Sequence, residues 1–391
     1  MSNTRNKVRM GMVGGGQGAF IGAVHRSAAA IDGEIELVCG AFSSSHENCL
    51  TTGRELNVAS ERCYPDFNTM FAAEAQLPPE KRMQFVSIVT PNHLHFAVAK
   101  AAIEAGFHVL SDKPATFTLQ EAIDLKVILN QHNVLYGLTH TYTGYPLVRE
   151  AKERIAQGEL GTVTKVVAEY SQGWLAEAQD PSNKQASWRL DPSRAGVSCC
   201  IGDIGVHAAN LAEFISGLEI TRMCADLSPV VSGRQLDDDG NVLMRFNNGA
   251  KGVLIASQIS VGEENNLNIR IYGTKAGLEW YQQEPNTLTI RYNDKPSQVI
   301  RTGVGGFSPA AAGSMRIPAG HPEGYLEAFA NLYVDFAKQV CEFDNSGKFV
   351  NLASIIPGID DAIRGMAFIE NCVAASQANE GWLDFKLANV L

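Results

Sequence analysis

The sequence predicts an α/β protein of two domains, the first built on a parallel sheet and the second on an antiparallel or mixed sheet. Three observations support this fold class. Strands alternate with helices through the first third of the chain, a glycine-rich turn follows the first strand, and short strands separated by turns begin after about residue 140. A length of 391 residues suits two or three domains of ordinary size.

The first domain consists of short apolar runs joined by segments with helical periodicity. The strand-like runs occupy residues 8–13, 36–41, 85–89, 107–110 and 134–138. Helical patterns follow the first run through Ala30, span residues 96–105 before Gly106, and begin again after a capping box at Thr118. This alternation predicts a doubly wound parallel sheet that is covered by helices on both faces.

The second domain has a different pattern. A helix opens at Pro146 and stops at Gly158, and residues 162–170 form a long strand. Residues 242–246 and 253–258 flank a turn at Gly249 and predict a hairpin, and further strands occupy 268–272, 278–281 and 288–292. We find no internal repeat and no low-complexity linker, so we place the boundary near residues 138–143. The predicted domains are therefore residues 1–140 and residues 141–391.

Composition and charge exclude several classes of protein. A hydrophobic fraction of 45% with 19% charged residues is ordinary for a folded protein and argues against disorder. Acidic residues number 42 and basic residues 32, and no basic stripe occurs, so we expect no nucleic-acid partner. No apolar run reaches about 18 residues, so we expect no membrane span. The polar N-terminus and eight cysteines without a Cys-x-x-Cys pair lead us to expect a cytoplasmic location.

The glycine-rich turn predicts a dinucleotide site. The turn reads Gly14-Gly15-Gly16-Gln17-Gly18-Ala19 and lies between a strand and a helix, which is the context of the dinucleotide-binding fingerprint. Glycines let the backbone approach a pyrophosphate, and the helix N-terminus supplies amides and partial positive charge. The candidate residues of this turn are Gly14, Gly16, Gln17, Gly18 and Ala19. Either Ala19 or Gly22 fills the third glycine role, because the turn is longer than the usual form.

The second strand leaves the choice between NAD and NADP open. An acid that binds the ribose is expected about 20 residues after the glycine turn. This strand instead ends in hydroxyl side chains at Ser43 and Ser44. These hydroxyls could serve either a ribose or a 2′-phosphate, and no arginine lies next to them.

Three further segments carry a resemblance to a known family. They are Thr90-Pro91-Asn92-His93-Leu94-His95, Asp112-Lys113-Pro114 and Gly202-Asp203-Ile204-Gly205-Val206-His207. With the glycine turn, the chain resembles the glucose–fructose oxidoreductase, inositol dehydrogenase and rhizopine-catabolism (Gfo/Idh/MocA) family. The resemblance implies a Rossmann domain followed by an α/β domain with a large open, mostly antiparallel sheet. It also implies hydride transfer between NAD or NADP and a ring alcohol of a sugar, inositol or related polyol, in a homodimer or homotetramer.

The resemblance also implies roles for individual residues. The family signature is Glu-Lys-Pro, and the lysine is retained here as Lys113, to which we assign a catalytic role and a contact with the cofactor. The shorter Asp112 is expected to contact the cofactor ribose. The segment that ends the third predicted strand is expected to line the cofactor site; its members are Thr90, Pro91, Asn92 and His95. For His95, helix capping or packing is an equally good interpretation.

The chemistry of alcohol oxidation gives roles to two more residues. A base with a pKa near neutrality must take the hydroxyl proton as hydride leaves carbon, and histidine suits this task. Asp203 and His207 stand four residues apart at the start of a helical run, so the carboxylate could orient the imidazole. Lys113 could stabilise the developing alkoxide. Without the resemblance, Asp203 is a helix N-cap and His207 an ordinary polar residue.

Substrate contacts are expected from residues outside these motifs. The segment from Lys184 to Trp188 and Arg189 resembles the family's Trp-Arg segment, although Trp188 could be core and Arg189 a surface ion-pair partner. Tyr142 stands beside the position where the family often has an arginine. His321 is a further candidate that needs no function in a polar loop. We predict no metal site, and we interpret Asp237-Asp238-Asp239 as a solvated turn.

Two other functional classes remain open from the sequence. Some family relatives cleave glycosidic bonds through transient oxidation with tightly held NAD. A non-catalytic cofactor sensor is the third hypothesis, although a sensor would need neither Lys113 nor His207. Accumulation of NADH distinguishes a dehydrogenase from the glycosidase, and cofactor binding without turnover would indicate the sensor.

Overall fold

The computed structural model describes residues 7–180, 183–347, 356–378, 381–388 and 390–391, without the side chains of Lys184 and Gln185. It divides into two compact units. The first contains Met1–Phe117, Glu121–Thr141 and Phe329–Ala362, and the second contains Thr118–Gln120, Tyr142–Ala328 and Ile363–Leu391. A single boundary at residue 140 is therefore incomplete, because a late segment of the chain packs into the first unit.

The first unit is built on a five-stranded parallel sheet. Its strands are β1 (Val8–Gly14), β2 (Ile35–Ala41), β3 (Phe85–Val89), β4 (His108–Ser111) and β5 (Tyr136–Leu138), in the order β2-β1-β3-β4-β5. The chain leaves β1 for β2 on one side and later returns to β3 on the other. This change of direction is a topological switch point, where open α/β sheets bind ligands outside the carboxyl ends of the strands.

Helices follow the strands as the hydrophobic periodicity predicts. Those that begin before residue 160 are α1 (Phe20–Ala30), α2 (His46–Glu55), α3 (Phe67–Ala75), α4 (His95–Glu104), α5 (Leu119–Leu129) and α6 (Pro146–Ala156). Every residue of β3 is buried, as expected for a central parallel strand with a continuous apolar run. The long helix α11 (Tyr325–Ser346) returns to the first unit from Phe329 onward, and Phe336 of α11 packs within 3.1 Å of where a Cβ on Gly137 would lie.

The second unit is built on a nine-stranded sheet. Its strands are β6 (Val163–Ser171), β7 (Ile220–Ser228), β8 (Asp239–Phe246), β9 (Lys251–Ser257), β10 (Asn266–Gly273), β11 (Ala276–Tyr281), β12 (Thr287–Tyr292), β13 (Gln298–Arg301) and β14 (Leu383–Asp384). They lie in the order β13-β12-β11-β10-β6-β9-β8-β7-β14. Only the β6–β9 pair is parallel among these strands, so the predicted mostly antiparallel sheet is confirmed.

A π-helical turn precedes the predicted helix of the second unit. The turn spans Ile201–Gly205 and leads directly into α9 (Val206–Ser216), which ends at the left-handed Gly217. Other helices of this region are α7 (Lys184–Arg189), α8 (Pro192–Ala195), α10 (Pro309–Ala312) and α12 (Ile359–Ala378), the last of which begins in the first unit. The sequence did not indicate the π turn, a feature often found at functional sites.

The aspartate run before β8 supports this turn, so its interpretation as a solvated turn is wrong. Asp237 is buried and accepts hydrogen bonds from the amides of Cys199 (3.0 Å) and Ile201 (2.9 Å). Asp238 is fully buried and pairs with Arg234 at 2.7 Å. Burial of such carboxylates is tolerated because each of them is hydrogen-bonded. Within the part of the chain that is described, no helix is both long and apolar enough to cross a membrane.

Candidate active site

The glycine loop after β1 presents bare backbone at the switch point. Gly14, Gly15 and Gly18 have φ angles of +87°, +74° and +80°, which residues with side chains rarely adopt. A Cβ on Gly14 would lie 2.8 Å from the carbonyl oxygen of Val89, at the end of β3. Only glycine therefore allows this close crossing, and the same property lets a backbone approach a pyrophosphate.

Gly22 makes the close contact between α1 and the loop. A Cβ on Gly22 would collide with the Cα of Gly15, so Gly22, rather than Ala19, has the helix-packing role of the third glycine. Ala19 is instead the N-cap residue of α1 and donates its amide to Gly16 at 3.0 Å. Arg26 of α1 donates to the carbonyl oxygen of Gly15 at 2.7 Å, which holds the loop from below.

The loop is also tied to the end of β2. The amide of Gly16 donates to the carbonyl oxygen of Phe42 at 2.9 Å, and the amide of Gln17 donates to Thr52 Oγ1 at 3.1 Å. The hydroxyl of Ser43 accepts the amide of Ser45 at 3.2 Å, while Ser44 is exposed. The hydroxyls therefore lie at the carboxyl end of β2, where a ribose contact is expected.

At the end of β3, the structure gives Thr90 and His95 different environments. The hydroxyl of Thr90 is buried and has no hydrogen-bond partner among the described residues. His95 is 1% exposed, and its ring nitrogens lie 2.7 Å from the carbonyl oxygens of Thr90 and Pro114. Burial lowers the pKa of His95, and Asp112 partly opposes this effect. Because backbone oxygens lie next to both nitrogens, His95 holds two loops in place, as its packing interpretation predicts, and a contact with a cofactor stays a prediction. Pro91 precedes a 3₁₀ turn, Asn92–Leu94, in which Asn92 is buried.

Asp112 follows β4 with one carboxylate oxygen anchored. The amide of Lys113 and the hydroxyl of Thr139 both donate to Oδ1 at 2.9 Å, and His25 Nε2 lies 3.7 Å from the same oxygen. Within the described residues nothing hydrogen-bonds Oδ2, and the side chain is 17% exposed. Burial would raise the pKa of Asp112, but His25 and the charges of Lys113 and His95 outweigh it and lower the pKa to about 2. Asp112 is therefore an ionised acceptor near neutrality.

Lys113 and His140 belong to neighbouring strand ends of the first unit. Lys113 is half-buried and joined to Pro114 by a cis peptide bond. His140 follows β5 and is 1% exposed. Burial and then the positive charge of Lys113 lower the pKa of His140 to about 3. His140 is therefore a neutral imidazole near a cation, and sequence reasoning missed it because no motif contains it.

In the second unit, His207 lies against an aromatic wall. Its ring meets that of Tyr142 edge to face at a centroid distance of 4.9 Å, and Tyr170 lies at 6.4 Å. The hydroxyls of Tyr142 and Tyr170 hydrogen-bond each other, and Tyr170 donates to Asn265 at 2.8 Å. Tyr142 is 4% exposed, so it supports the imidazole of His207 with a buried, hydrogen-bonded ring.

Asp203 lies on the π turn and is held by two long side chains. Its Oδ2 accepts from Arg189 Nε and from Gln258 Nε2, each at 3.0 Å. Gln258 directly follows β9 and is fully buried. The predicted residue Asp203 is thus joined to the predicted residue Arg189, while Gln258 carried no recognisable sequence signal.

Arg189 also lies between two indole rings. Its guanidinium carbon is 4.3 Å from the ring centroid of Trp188 and 5.9 Å from that of Trp174, within the range of cation–π attraction. Trp174 donates its indole N–H to Gln172 at 2.9 Å and is 36% exposed. The Trp-Arg segment is therefore organised around Asp203, with Trp174 as a member that the sequence did not indicate.

The structure gives less support to two other predicted substrate residues. Lys184 begins α7, but its side chain lies outside the described residues. His321 is exposed, and its ring nitrogen Nδ1 lies 3.1 Å from the carbonyl oxygen of Pro318.

The residues of the first unit fit a nicotinamide dinucleotide. A Cβ on Gly14 or Gly22 would fill the space that the loop backbone needs. The buried hydroxyl of Thr90 lacks an internal partner, and Asp112 has an open carboxylate oxygen. The loop amides and the start of α1 would hold the pyrophosphate, and Asp112 would accept from a ribose hydroxyl.

Comparison with known proteins agrees with this fit. Residues 8–140 match a family model described as the oxidoreductase family with an NAD-binding Rossmann fold, and residues 148–279 match the GFO/IDH/MocA C-terminal domain. An uncharacterised oxidoreductase of Bacillus subtilis, YfiI, is 34% identical over 97% of each chain.

Two further relatives have more specific descriptions. The structure of an inositol dehydrogenase homologue from Azotobacter vinelandii, complexed with NADH and myo-inositol, is 36% identical over 97% of this chain and 98% of that one, with a TM-score of 0.89. Levoglucosan dehydrogenase from Pseudarthrobacter phenanthrenivorans is 28% identical over 76% of this chain and 79% of its own length. The chain therefore belongs to the Gfo/Idh/MocA family of NAD-binding oxidoreductases.

Proposed function

We propose that this oxidoreductase transfers a hydride between a nicotinamide cofactor and a ring alcohol of a sugar, an inositol or a related cyclic polyol. The observation that carries the proposal is the pair of Asp203 and His207, with Asp203 anchored on a π turn and His207 against an aromatic wall. A carboxylate and an imidazole four residues apart suit proton transfer to and from a hydroxyl.

Each side chain has a separate task in the proposed reaction. The cofactor supplies the hydride acceptor when it is bound. His207 takes the hydroxyl proton, Asp203 orients the imidazole, and Lys113 stabilises the negative charge that develops on the alcohol oxygen. Tyr142, Lys184, Trp188, Arg189 and His321 are proposed substrate contacts, and among them Trp188 and Arg189 have support from their link to Asp203.

The substrate class is supported by the relatives and by the residues around Asp203. An inositol dehydrogenase homologue and a levoglucosan dehydrogenase both match most of this chain. Both names refer to compounds with a saturated ring that carries hydroxyl groups. The partly exposed indole of Trp174 and the guanidinium of Arg189 would offer an apolar face and hydrogen-bond donors to such a ring.

The first test measures thermal stability with NAD, NADH, NADP and NADPH, each alone. A cofactor at a hundred times its Kd should stabilise the native protein by about 3 kcal/mol. The preferred cofactor is then combined with myo-inositol, levoglucosan, aldoses and glycosides, and NADH formation is followed by absorbance. We expect selective stabilisation by one cofactor and net reduction with at least one ring polyol.

Three results would contradict the proposal. No stabilisation by any nicotinamide cofactor would remove its basis. Release of sugar from a glycoside without net NADH would indicate the glycosidase reaction, and cofactor binding without turnover of the whole panel would indicate a sensor.

We also propose that the protein is a homodimer or homotetramer. Along β8, β10 and β11, side chains on one face are buried, and the other face carries exposed large apolar side chains that include Leu243 (46%), Tyr272 (41%) and Tyr281 (40%). Large apolar side chains exposed on a sheet favour association. Light scattering at micromolar concentration should give a dimer or tetramer mass, and a monomer would contradict this assignment.

A further inference from the structure

A buried polar cluster lies behind Asp112, formed by His25 of α1, Ser87 of β3 and Tyr333 of α11. His25 is fully buried, with Nδ1 2.6 Å from the hydroxyl of Tyr333 and 3.4 Å from that of Ser87. The two hydroxyls are 2.8 Å apart. On the other side of the ring, Nε2 lies 3.7 Å from Asp112 Oδ1. The proposed reaction gives no task to this cluster.

The hydroxyl of Tyr333 and the carboxylate of Asp112 together favour the tautomer of His25 that carries hydrogen on Nε2. Burial raises the pKa of Tyr333, so its hydroxyl keeps its proton and can donate it to Nδ1. Ser87 can then donate to the oxygen of Tyr333. With Nδ1 as acceptor, the hydrogen of a neutral imidazole is on Nε2 and faces Asp112. The opposite tautomer would direct a lone pair at the carboxylate.

The aromatic surroundings keep the ring of His25 in this orientation. The ring of Phe329 meets it edge to face at a centroid distance of 4.5 Å, and that of Tyr333 does so at 5.8 Å. Rotation of the imidazole would break this packing as well as the bond to Tyr333. The N–H of His25 is therefore fixed toward Asp112, although 3.7 Å is longer than a hydrogen bond.

We infer that His25 is a positioning residue for Asp112, an inference that rests on the proposed function. His25, Thr139 and the amide of Lys113 all approach Oδ1. This convergence fixes the plane of the carboxylate and leaves Oδ2 to accept a hydroxyl of the cofactor. Because Asp112 is one methylene shorter than the glutamate of the family signature, its reach depends on this fixed orientation.

A double-mutant cycle tests the inference. His25→Phe keeps an aromatic ring but removes the N–H, and Asp112→Asn keeps the shape of the side chain but removes its charge. We expect His25→Phe to raise the Kd for NADH about tenfold in the wild-type background, because Asp112 loses the N–H that faces Oδ1 and is then oriented by two donors only. In the Asp112→Asn background, the same substitution should change the Kd less than about twofold, because its target is gone. Equal losses in both backgrounds would show that His25 acts only through packing and would overturn the inference.

If His25→Phe does not fold, Tyr333→Phe tests the inference instead, alone and in the Asp112→Asn background. Tyr333→Phe keeps the ring and removes the hydroxyl that helps to select the tautomer. It should raise the Kd for NADH about threefold, less than the loss of a complete hydrogen bond to a charge, and the effect should again disappear in Asp112→Asn. Tyr64→Phe is the matched control, since it removes a buried tyrosine hydroxyl of the same unit that donates to Glu74 at 3.0 Å and belongs to no part of the polar cluster. It should lower the Tm and should show no coupling to Asp112.

The outcomes separate this inference from the proposed function. If the wild-type protein binds no nicotinamide cofactor, both are overturned. If the wild-type protein binds NADH and oxidises a ring polyol but both cycles are additive, the proposed function stands and only the role of His25 is overturned.

Discussion

The two units assemble their polar groups in different ways. In the first unit, the groups lie at the ends of neighbouring strands of one parallel sheet, with Gly14 as the last residue of β1, Thr90 after β3 and Asp112 after β4. In the second unit, His207 and Asp203 lie on one helical segment, and their supports come from distant positions such as Tyr142 and Gln258. In the first unit, the strand order brings the functional groups to one edge of the sheet. In the second unit, side-chain contacts hold them together. The comparison predicts that variants of the glycine loop and of Asp112 alter cofactor affinity and that variants of His207 alter turnover. Lys113 lies in the first unit, but its proposed target is the alcohol oxygen, so its variants should also alter turnover.

The largest effect is expected from the two groups that act on the alcohol. His207→Ala and Lys113→Ala should each lower kcat about 10²- to 10⁴-fold, because a proton acceptor or an oxyanion donor is removed. The Kd for NADH should stay within about threefold of wild type, since neither change removes a loop amide or Asp112. Steady-state kinetics and NADH titration measure both quantities.

His132→Ala and Lys100→Ala are matched controls for this prediction. The first removes a histidine from the turn after α5, and the second removes a lysine from α4. Both should keep wild-type kcat. If His207→Ala weakened NADH binding as much as it slowed turnover, the division of tasks between the two units would be wrong.

The next effect concerns acid stability of the first unit. Burial, with a contribution from Lys113, lowers the pKa of His140 to about 3, against about 6.5 in an unfolded chain. The folded state therefore resists protonation, so this contribution to stability is complete above about pH 6.5 and is lost as the pH falls toward 3. Between about pH 6.5 and pH 4.5, the loss of this contribution lowers the free energy of unfolding by about 3 kcal/mol. His140→Gln stays neutral and should give a flatter dependence on pH.

Urea unfolding of wild type and His140→Gln across this range is the measurement. His25 and His95 are unchanged in the variant, so the difference between the two curves isolates His140. Parallel curves would mean that the imidazole of His140 titrates normally in the folded protein.

The smallest effect is expected at the contact between α1 and the glycine loop. Gly22→Ala places a methyl group against the Cα of Gly15, and the loop must shift to relieve the overlap. We expect NADH affinity to fall about tenfold, or about 1.4 kcal/mol, with kcat at saturating cofactor nearly unchanged. Gly305→Ala is the control, because no atom lies within 4 Å of its added Cβ. An unchanged Kd in Gly22→Ala would indicate that the geometry of the loop does not limit cofactor binding.

The fold and half of the candidate site could be predicted from the sequence for physical reasons. Periodicity located β1 and β3. The family resemblance indicated Asp112 and Lys113, and their strand-end position supported it, because parallel strands place their carboxyl ends on one edge. The roles of His25, His140 and Gln258 could not be predicted. Each acts through a contact across the fold, such as that between His25 and Tyr333, separated by 308 positions, and no local pattern records such a contact.

The π turn and the buried aspartates of the second unit could not be predicted for the same reason. The i to i+4 spacing correctly placed Asp203 and His207 on one helical segment, but the π turn at Ile201–Gly205 depends on Asp237, which binds the amides of Cys199 and Ile201 from another loop. A local run of three aspartates resembles a solvated turn, and only the tertiary structure shows that two of them are buried.

The late segment that completes the first unit has a consequence for synthesis on the ribosome. Phe329–Ala362 supplies Tyr333 and Phe336 to a unit whose sheet is already translated by residue 141. At about 5–20 residues per second, translation of the intervening Tyr142–Ala328 takes roughly 10–40 s. During that interval we expect the nascent first unit to expose Phe85 and Gly137, on which Phe336 of α11 packs in the folded chain. A gene truncated after residue 140 would leave that apolar surface open permanently, so a soluble cofactor domain would have to be expressed with residues 329–362 joined back to it.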